Sequence, residues 1–505
     1  MAMSLVEFFA GKRILLTGAT GMLGKALAEK ILRDLPDVGA LILLVRSDEK
    51  ASASDRVARE IVDGDLFDRL RGELGADFSE RISAKIRVLS GDLRQPDLGL
   101  GREGYASLCR EADGVINCAA SVKFDESLDA ALATNVAGVS RLLEFARDAG
   151  AFFVQVSTAY ATRRNDGEVA EDLEVSGSSL EDELTELNEL ANREVSRLVQ
   201  AGREVARRRG WIDVYTYSKH LGERVIFERA GDVRCAIVRP SIIESTLVDP
   251  LPGWIEGLRM ADPVFVATGR GLTSFPMVPD AVIDLIPLDF VVRATLSACR
   301  AAAGNDGCPL FFHAASGDSN PLMQNRMIAD VLSFYAERAG AAAGFPRWTS
   351  PPIDRFRTRL ARRIRRLERL VGWTKPLEGS RWFRRMRRRL RHRLHVAKGV
   401  QRLLSHYGDY LQLRCRFRTE STAALHAALL PWEVERFGFD PTEIDWTEYL
   451  CGIHLPTLWK GRGAGIGGAL FKEAALSQEA IPLQMDTRSS PDRRAARLFR
   501  SVSPG

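Results

Sequence analysis

No run of apolar residues in this chain approaches the roughly 20 that a bilayer-spanning helix needs, so nothing in it reads as membrane-crossing. Its seven cysteines (109, 118, 235, 299, 308, 415 and 451) contain no C-x-x-C pair and no histidine cluster beside them. That scatter argues against a zinc site or a disulfide framework; no metal is expected, and the thiols read as reduced, mostly buried small hydrophobes of a cytoplasmic protein. Residues 1–12 have no basic start leading into an apolar core, so no secretory signal is read there. Internal repeats are absent. Acidic residues run short in one place only. Between Arg355 and Arg402, nineteen Lys and Arg stand against two Glu, a local charge of +17 that leaves −12 for the rest of a chain whose net charge is +5.

What the chain does have is a glycine turn near its start. Arg13-Ile14-Leu15-Leu16-Thr17 is a short apolar run; Gly18, Gly21 and Gly24 follow in G-x-x-G-x-x-G spacing, and helix formers continue from Lys25. A buried strand, a tight turn and a helix start are predicted. Glycine lets a pyrophosphate approach the backbone, and the free N–H groups of the first helical turn face the anion. Gly18, Thr20, Gly21, Met22, Leu23 and Gly24 are therefore candidate dinucleotide contacts.

The strand pattern continues regularly. Leu41–Val45 is a second strand, followed by Arg46 where an Asp or Glu would bind the 2′-hydroxyl of NAD; a guanidinium suits a 2′-phosphate, so NADPH is the expected cofactor. Strand 86–90 leads into Gly91-Asp92-Leu93, whose carboxylate is placed to accept from the adenine amino group. Strand 114–117 runs into Ala119 and Ala120, small enough to let the ribose and phosphates pass. Asn135 is expected to brace that strand. Strand 152–156 ends in Ser157-Thr158, and Cys235–Pro240 leads to Ser241-Ile242, where Pro240 and Ile242 would hold the nicotinamide ring.

Tyr215 and Lys219 are four residues apart, on one face of a predicted helix. An ammonium one turn away would favour the phenolate, and the same lysine would reach the cofactor's ribose. Reducing a carbonyl by hydride needs a proton and a second donor on the developing oxyanion. Tyr215 would give the proton. Thr158 is the expected second hydroxyl, with Ser157 as the alternative; Tyr217 and His220 read as packing residues.

The motifs TGATGMLGKALAEKIL, ILLVRS, VINCAASVKFD, VQVSTAYA, YTYSKHLGE, VRPSII and DLIPLDFVV occur in the order found in fatty acyl-CoA reductases, extended members of the short-chain dehydrogenase/reductase superfamily. The resemblance is strong over residues 8–300 and resumes in FGFDPTEIDWTEYL, which looks like that family's C-terminal helical domain. It implies an α/β, Rossmann-type doubly wound parallel sheet with a substrate lobe and a mainly helical C-terminal domain. It also implies NADPH on the glycines at 18, 21 and 24 and on Arg46, Tyr215 and Lys219 as the catalytic pair, and a long-chain fatty acyl-CoA reduced through aldehyde to alcohol. Met22 departs from the family's common Phe, a change at a residue whose backbone meets the cofactor. The rival readings are a dehydrogenase of a nucleotide sugar or sterol, and a noncatalytic NADPH-sensing scaffold.

The expected organisation is a reductase domain over 8–345 with an insertion at about 165–210, a basic helical domain over 350–460 and a flexible tail from 461. Leu360, Ile364 and Leu367 give the basic segment one narrow apolar edge. That edge would either enter the interface of an anionic membrane or pack on the protein while arginines hold coenzyme A phosphates. Nucleic acid is not the expected partner.

Overall fold

The computed structural model describes residues 3–122, 126–174, 177–258, 261–339, 347–374 and 381–460. The expected tail from 461, and the expected end of the reductase domain at 345, lie outside these residues.

Seven parallel strands form the central sheet: β1 (Arg13–Thr17), β2 (Ala40–Val45), β3 (Ile86–Ser90), β4 (Gly114–Asn117), β5 (Phe152–Val156), β6 (Cys235–Pro240) and β7 (Leu310–Ala314). Their order is β3-β2-β1-β4-β5-β6-β7, so the direction of winding reverses between β1 and β4. In such sheets a ligand crevice opens at the strands' carboxyl ends beside that reversal. Successive side chains of a strand point to opposite faces. Ile14, Leu16, Leu41 and Leu43 accordingly join one buried cluster, while Leu15, Ile42 and Val115 join another on the far face. Both faces are covered, which is why these strands read as continuous apolar runs.

The helices that position the site are α1 (Met22–Asp34), α2 (Gly138–Ala149), α3 (Leu180–Arg193), α4 (Leu198–Arg208), α5 (Val214–Arg229), α6 (Leu288–Ala303), α7 (Ile353–Trp373) and α8 (Arg381–Tyr407). Helices α3 and α4 belong to the expected insertion. Glu183 of α3 locks it to α5, accepting from Arg224 Nη1 at 2.7 Å and also from the Tyr217 hydroxyl. Between β6 and α6 lies the substrate lobe, where Ile242–Glu244 pairs in parallel with Leu285–Pro287. Asp289 of α6 gathers the backbone N–H groups of Leu247, Val248 and Asp249 at 2.9–3.2 Å.

The C-terminal segment does not stand apart from the rest. Its strand Arg414–Phe417 pairs in parallel with Asp166–Val169 of the insertion, Cys415 opposite Gly167. Phe356, Leu360, Ile364 and Leu367 of α7 are buried in the same hydrophobic cluster as Phe275 and Met277 of the substrate lobe. This corrects the membrane-insertion reading of that edge: its apolar side chains are already consumed by intramolecular packing. Further on, buried His454 bonds Asp262 Oδ1 through Nε2 (2.9 Å) and Ser245 Oγ through Nδ1 (3.0 Å). With Glu244 these residues form the only His/Asp/Glu group among the described residues compact enough to hold an ion.

Candidate active site

The glycine turn is shaped by close approach. Gly18 has φ +67°, the left-handed region, and a Cβ on it would lie 2.6 Å from the Ala119 nitrogen after β4. Gly24 is buried in the first turn of α1, and a Cβ there would overlap the Gly18 carbonyl. Turn, helix and β4 end therefore pack backbone to backbone. Gly21 is the exposed N-cap of α1 and supplies no side-chain cap, so among the described residues no capping side chain answers the N–H groups of the helix's first turn. This cradle, which added methyl groups would fill, fits the pyrophosphate of a dinucleotide.

A polar ladder underlies the crevice. Thr17 Oγ1 donates to Asn117 Oδ1 at 2.5 Å, Asn117 Nδ2 to Gln155 Oε1 at 2.7 Å, and Gln155 Nε2 to the Val156 carbonyl at 2.6 Å. Lys219 Nζ donates to that same carbonyl at 2.6 Å. Each member is buried, so each bond spares a desolvation cost of about 1–3 kcal/mol for an unpaired group. The ladder runs from the glycine turn's strand to the lysine.

Tyr215 and Lys219 lie on α5 as the spacing predicts. Asp213 caps this helix, accepting from Thr216 N at 2.9 Å, and the Thr216 hydroxyl turns back to close a capping box. Asn135 holds the helix from the other side. It donates to Ser218 Oγ at 2.9 Å and bridges the loop after β4 through Ser121. The Tyr215 hydroxyl is hydrogen-bonded to Thr158, whereas Ser157 Oγ has no hydrogen-bond partner among the described residues. Thr158 is therefore the hydroxyl that the fold brings to the phenol.

One electrostatic expectation is corrected. Burial, and then the Asp213 carboxylate, push the Tyr215 phenol well above its ordinary value, against the Thr158 bond that lowers it. Burial also lowers the Lys219 ammonium, to about 8. At neutral pH Tyr215 is a phenol holding its proton, the form a general acid requires. Tyr217 stacks on Trp211 with ring centroids 5.6 Å apart, and burial drives His220 down to about 3, leaving it neutral. Both are packing residues, as read from the sequence.

At the end of β2, Arg46 borders an open groove of about 590 Å³ with Ser47, Arg56, Asp92 and Arg94. Asp92 is bonded to Arg94, at 2.6 Å from Nη2, and that bond holds its carboxyl below the usual range. Arg56 donates to the Arg46 carbonyl at 2.8 Å. Three guanidiniums thus border a site that the sequence pointed to through Arg46 and Asp92; Arg56 and Arg94 carried no motif. Leu93 is buried behind the groove, and Ala119 is half-buried beside Gly18. Pro240 accepts from Ala159 N at 2.9 Å, which fixes the loop after β5, and Ile242 lines an apolar seam beyond it.

No motif pointed to Tyr410. It comes from the C-terminal segment, and its hydroxyl donates to Asp213 Oδ2 at 2.8 Å; its ring meets Tyr160 edge-on at 5.3 Å. Tyr410 and Leu411 close the seam that Ile242, Phe265, Phe275 and Met277 line from the lobe.

Residues 16–295 match the model of an NAD-binding family described as "Male sterility protein". Over 490 residues the chain is 32% identical to fatty acyl-CoA reductase 2, chloroplastic, of Arabidopsis thaliana, covering 90% of this chain and 79% of that protein. It is 32% identical over 493 residues to the alcohol-forming fatty acyl-CoA reductase of Simmondsia chinensis, covering 90% and 97%. The terminal R domain of the myxalamid PKS-NRPS pathway superposes with a TM-score of 0.58 at 18% identity, covering 91% of this chain and 93% of that one, which is a likeness of fold. A nicotinamide dinucleotide is the cofactor this fold holds. With the match to the NAD-binding model spanning more than half its length and these relatives aligned along most of the remainder, the chain belongs to the fatty acyl-CoA reductase family.

Proposed function

We propose that the protein reduces long-chain fatty acyl-CoA with NADPH to the fatty alcohol, through the aldehyde, releasing coenzyme A. The observation that carries this reading is the Thr158–Tyr215 hydroxyl pair, its tyrosine on the helix that the polar ladder ties to the glycine turn's strand through Lys219. The guanidiniums of Arg46, Arg56 and Arg94 support a cofactor bearing a 2′-phosphate, since that dianion favours charge-assisted bonds to arginine. Asp92, on the same groove, would take the adenine amino group, and Pro240 and Ile242 would flank the nicotinamide.

Bound NADPH supplies the hydride. Thr158 and Tyr215 donate hydrogen bonds to the oxygen of the thioester carbonyl as negative charge gathers there. Tyr215, kept protonated by burial and by Asp213, passes its proton to that oxygen. The hemithioacetal then breaks its carbon–sulfur bond and leaves aldehyde and thiol. A second cycle at the same hydroxyl pair gives the primary alcohol. Lys219, anchored on the Val156 carbonyl one helical turn from the phenol, would meet the cofactor's ribose. The seam encloses only about 30 Å³, so its apolar side chains would have to part to receive the acyl chain, which has no polar group to satisfy.

The test is incubation with NADPH and acyl-CoAs of graded chain length, following NADPH, free thiol and lipid products together. Two NADPH consumed per thiol, with alcohol as product and NADH much poorer, is the expected result. One NADPH per thiol would limit the reaction to aldehyde, and absence of thiol would overturn the reading.

A further inference from the structure

Behind the substrate lobe lies a buried group that the proposed reaction does not use. Glu244 ends the lobe's strand Ile242–Glu244, Asp262 opens the helix Asp262–Gly269, and His454 comes from the C-terminal segment. All three are 0% exposed, and one donor atom from each lies within 4.8 Å of the other two.

The hydrogen bonds around His454 select its tautomer. Tyr449 donates its hydroxyl hydrogen to the Ser245 carbonyl at 2.7 Å, so the Ser245 hydroxyl, 3.3 Å from the Tyr449 oxygen, donates there in turn. Ser245 Oγ is then left to accept from His454 Nδ1 at 3.0 Å. An imidazole protonated at Nδ1 presents the bare lone pair of Nε2, and Asp262 Oδ1 stands 2.9 Å from it. Two electron-rich atoms so close, in a site shut off from water, need a positive centre between them. Glu244 Oε2 lies 3.8 Å from the same nitrogen and receives no hydrogen bond from any described residue. A proton between Nε2 and Oδ1 would answer two of these atoms and leave the third. One divalent cation answers all three.

The spacing suits such an ion. Metal–nitrogen and metal–oxygen bonds of about 2.0–2.2 Å place neighbouring ligand atoms about 3–4 Å apart, close to the 2.9 and 3.8 Å seen here. Ligating histidines donate their other N–H to a fixed acceptor, the part Ser245 plays. A neutral imidazole and two carboxylates also balance a divalent charge, so the buried group is neutral as a whole.

We propose that Glu244, Asp262 and His454 bind one divalent first-row transition-metal ion, zinc foremost, which clamps the C-terminal segment to the substrate lobe. Ala261 and Phe265, beside the ligand Asp262, line the apolar seam, so the ion fixes one of its walls. The ligands come from three separate segments, with 192 residues between Asp262 and His454. No ligand spacing shows in the sequence, which is why the cysteine pattern alone led to an expectation of no metal.

The test is metal analysis, manganese through zinc, of the full chain purified without a polyhistidine tag and dialysed against metal-free buffer. About one ion per chain is expected, and X-ray absorption at its edge should show nitrogen and oxygen neighbours at about 2.0–2.2 Å and no sulfur. Glu244→Gln keeps the side chain's shape and its acceptor for Ala261 N, 3.1 Å away. This variant should retain less than roughly a tenth of the parent's metal and unfold at a lower Tm, as should His454→Ala. A parent chain without stoichiometric metal would overturn the proposal. So would sulfur around the ion, or a folded Glu244→Gln variant with the parent's metal content. Should neither variant fold, the parent's metal count and absorption spectrum decide.

Discussion

The glycine turn and the C-terminal segment approach the helix of Tyr215 and Lys219 from opposite ends of the chain, one through the polar ladder and one through Asp213, and they are built on opposite terms. Gly18 to Gly24 is shaped by contacts within a few residues and with the neighbouring strand ends. Tyr410 reaches Asp213 across 197 residues, and Arg414–Phe417 joins a strand about 250 residues earlier. The first region needs only local backbone rules; the second exists only once the chain is assembled. A cofactor site of the first kind tolerates little change. A wall of the second kind can be retuned by distant residues without touching the glycine turn.

Breaking the ladder between the two regions should have the largest effect among their neighbours. Lys219→Met removes the ammonium from the Val156 carbonyl and is expected to lower turnover roughly 10²-fold or more, with a raised Kd for NADPH measured by fluorescence quenching. The same lysine gives a pH dependence. Its folded value is lowered to about 8, so it is charged at pH 7 and loses its proton as pH rises past that value. We expect kcat/KM to fall about tenfold per pH unit above it; a flat profile to strongly alkaline pH would remove Lys219 from the reaction.

The local region should fail sharply. Gly24→Ala places a methyl against the Gly18 carbonyl, and overpacking of this kind costs about 1–3 kcal/mol, visible as a lower Tm and weakened NADPH binding. The long-range region should fail gently. Tyr410→Phe leaves Asp213 without one of its partners, a loss of about 1 kcal/mol, with turnover reduced several-fold and NADPH affinity kept. If Tyr410→Phe cost cofactor affinity instead, the division between the two regions would be wrong.

That division also explains what the sequence revealed. The strands, the turn and the Tyr215–Lys219 face carry signals within a dozen residues, and the structure has them where the pattern places them. The choice of Thr158 over Ser157 needed coordinates, because adjacent residues leaving a strand point in different directions. Asp213 belongs to no motif, and its field on Tyr215 depends on burial that no short motif encodes. The apolar edge of α7 was visible at Leu360, Ile364 and Leu367. Its partner, the lobe around Phe275, was not, since helical periodicity says which face is buried and nothing about what covers it.

The most direct test of the central claim compares the chain with its Tyr215→Phe variant, reading NADPH binding and thiol release from palmitoyl-CoA on the same samples. Unchanged binding with thiol release lowered by roughly 10²–10⁴-fold is the predicted result. A variant that releases thiol at the parent's rate would contradict it.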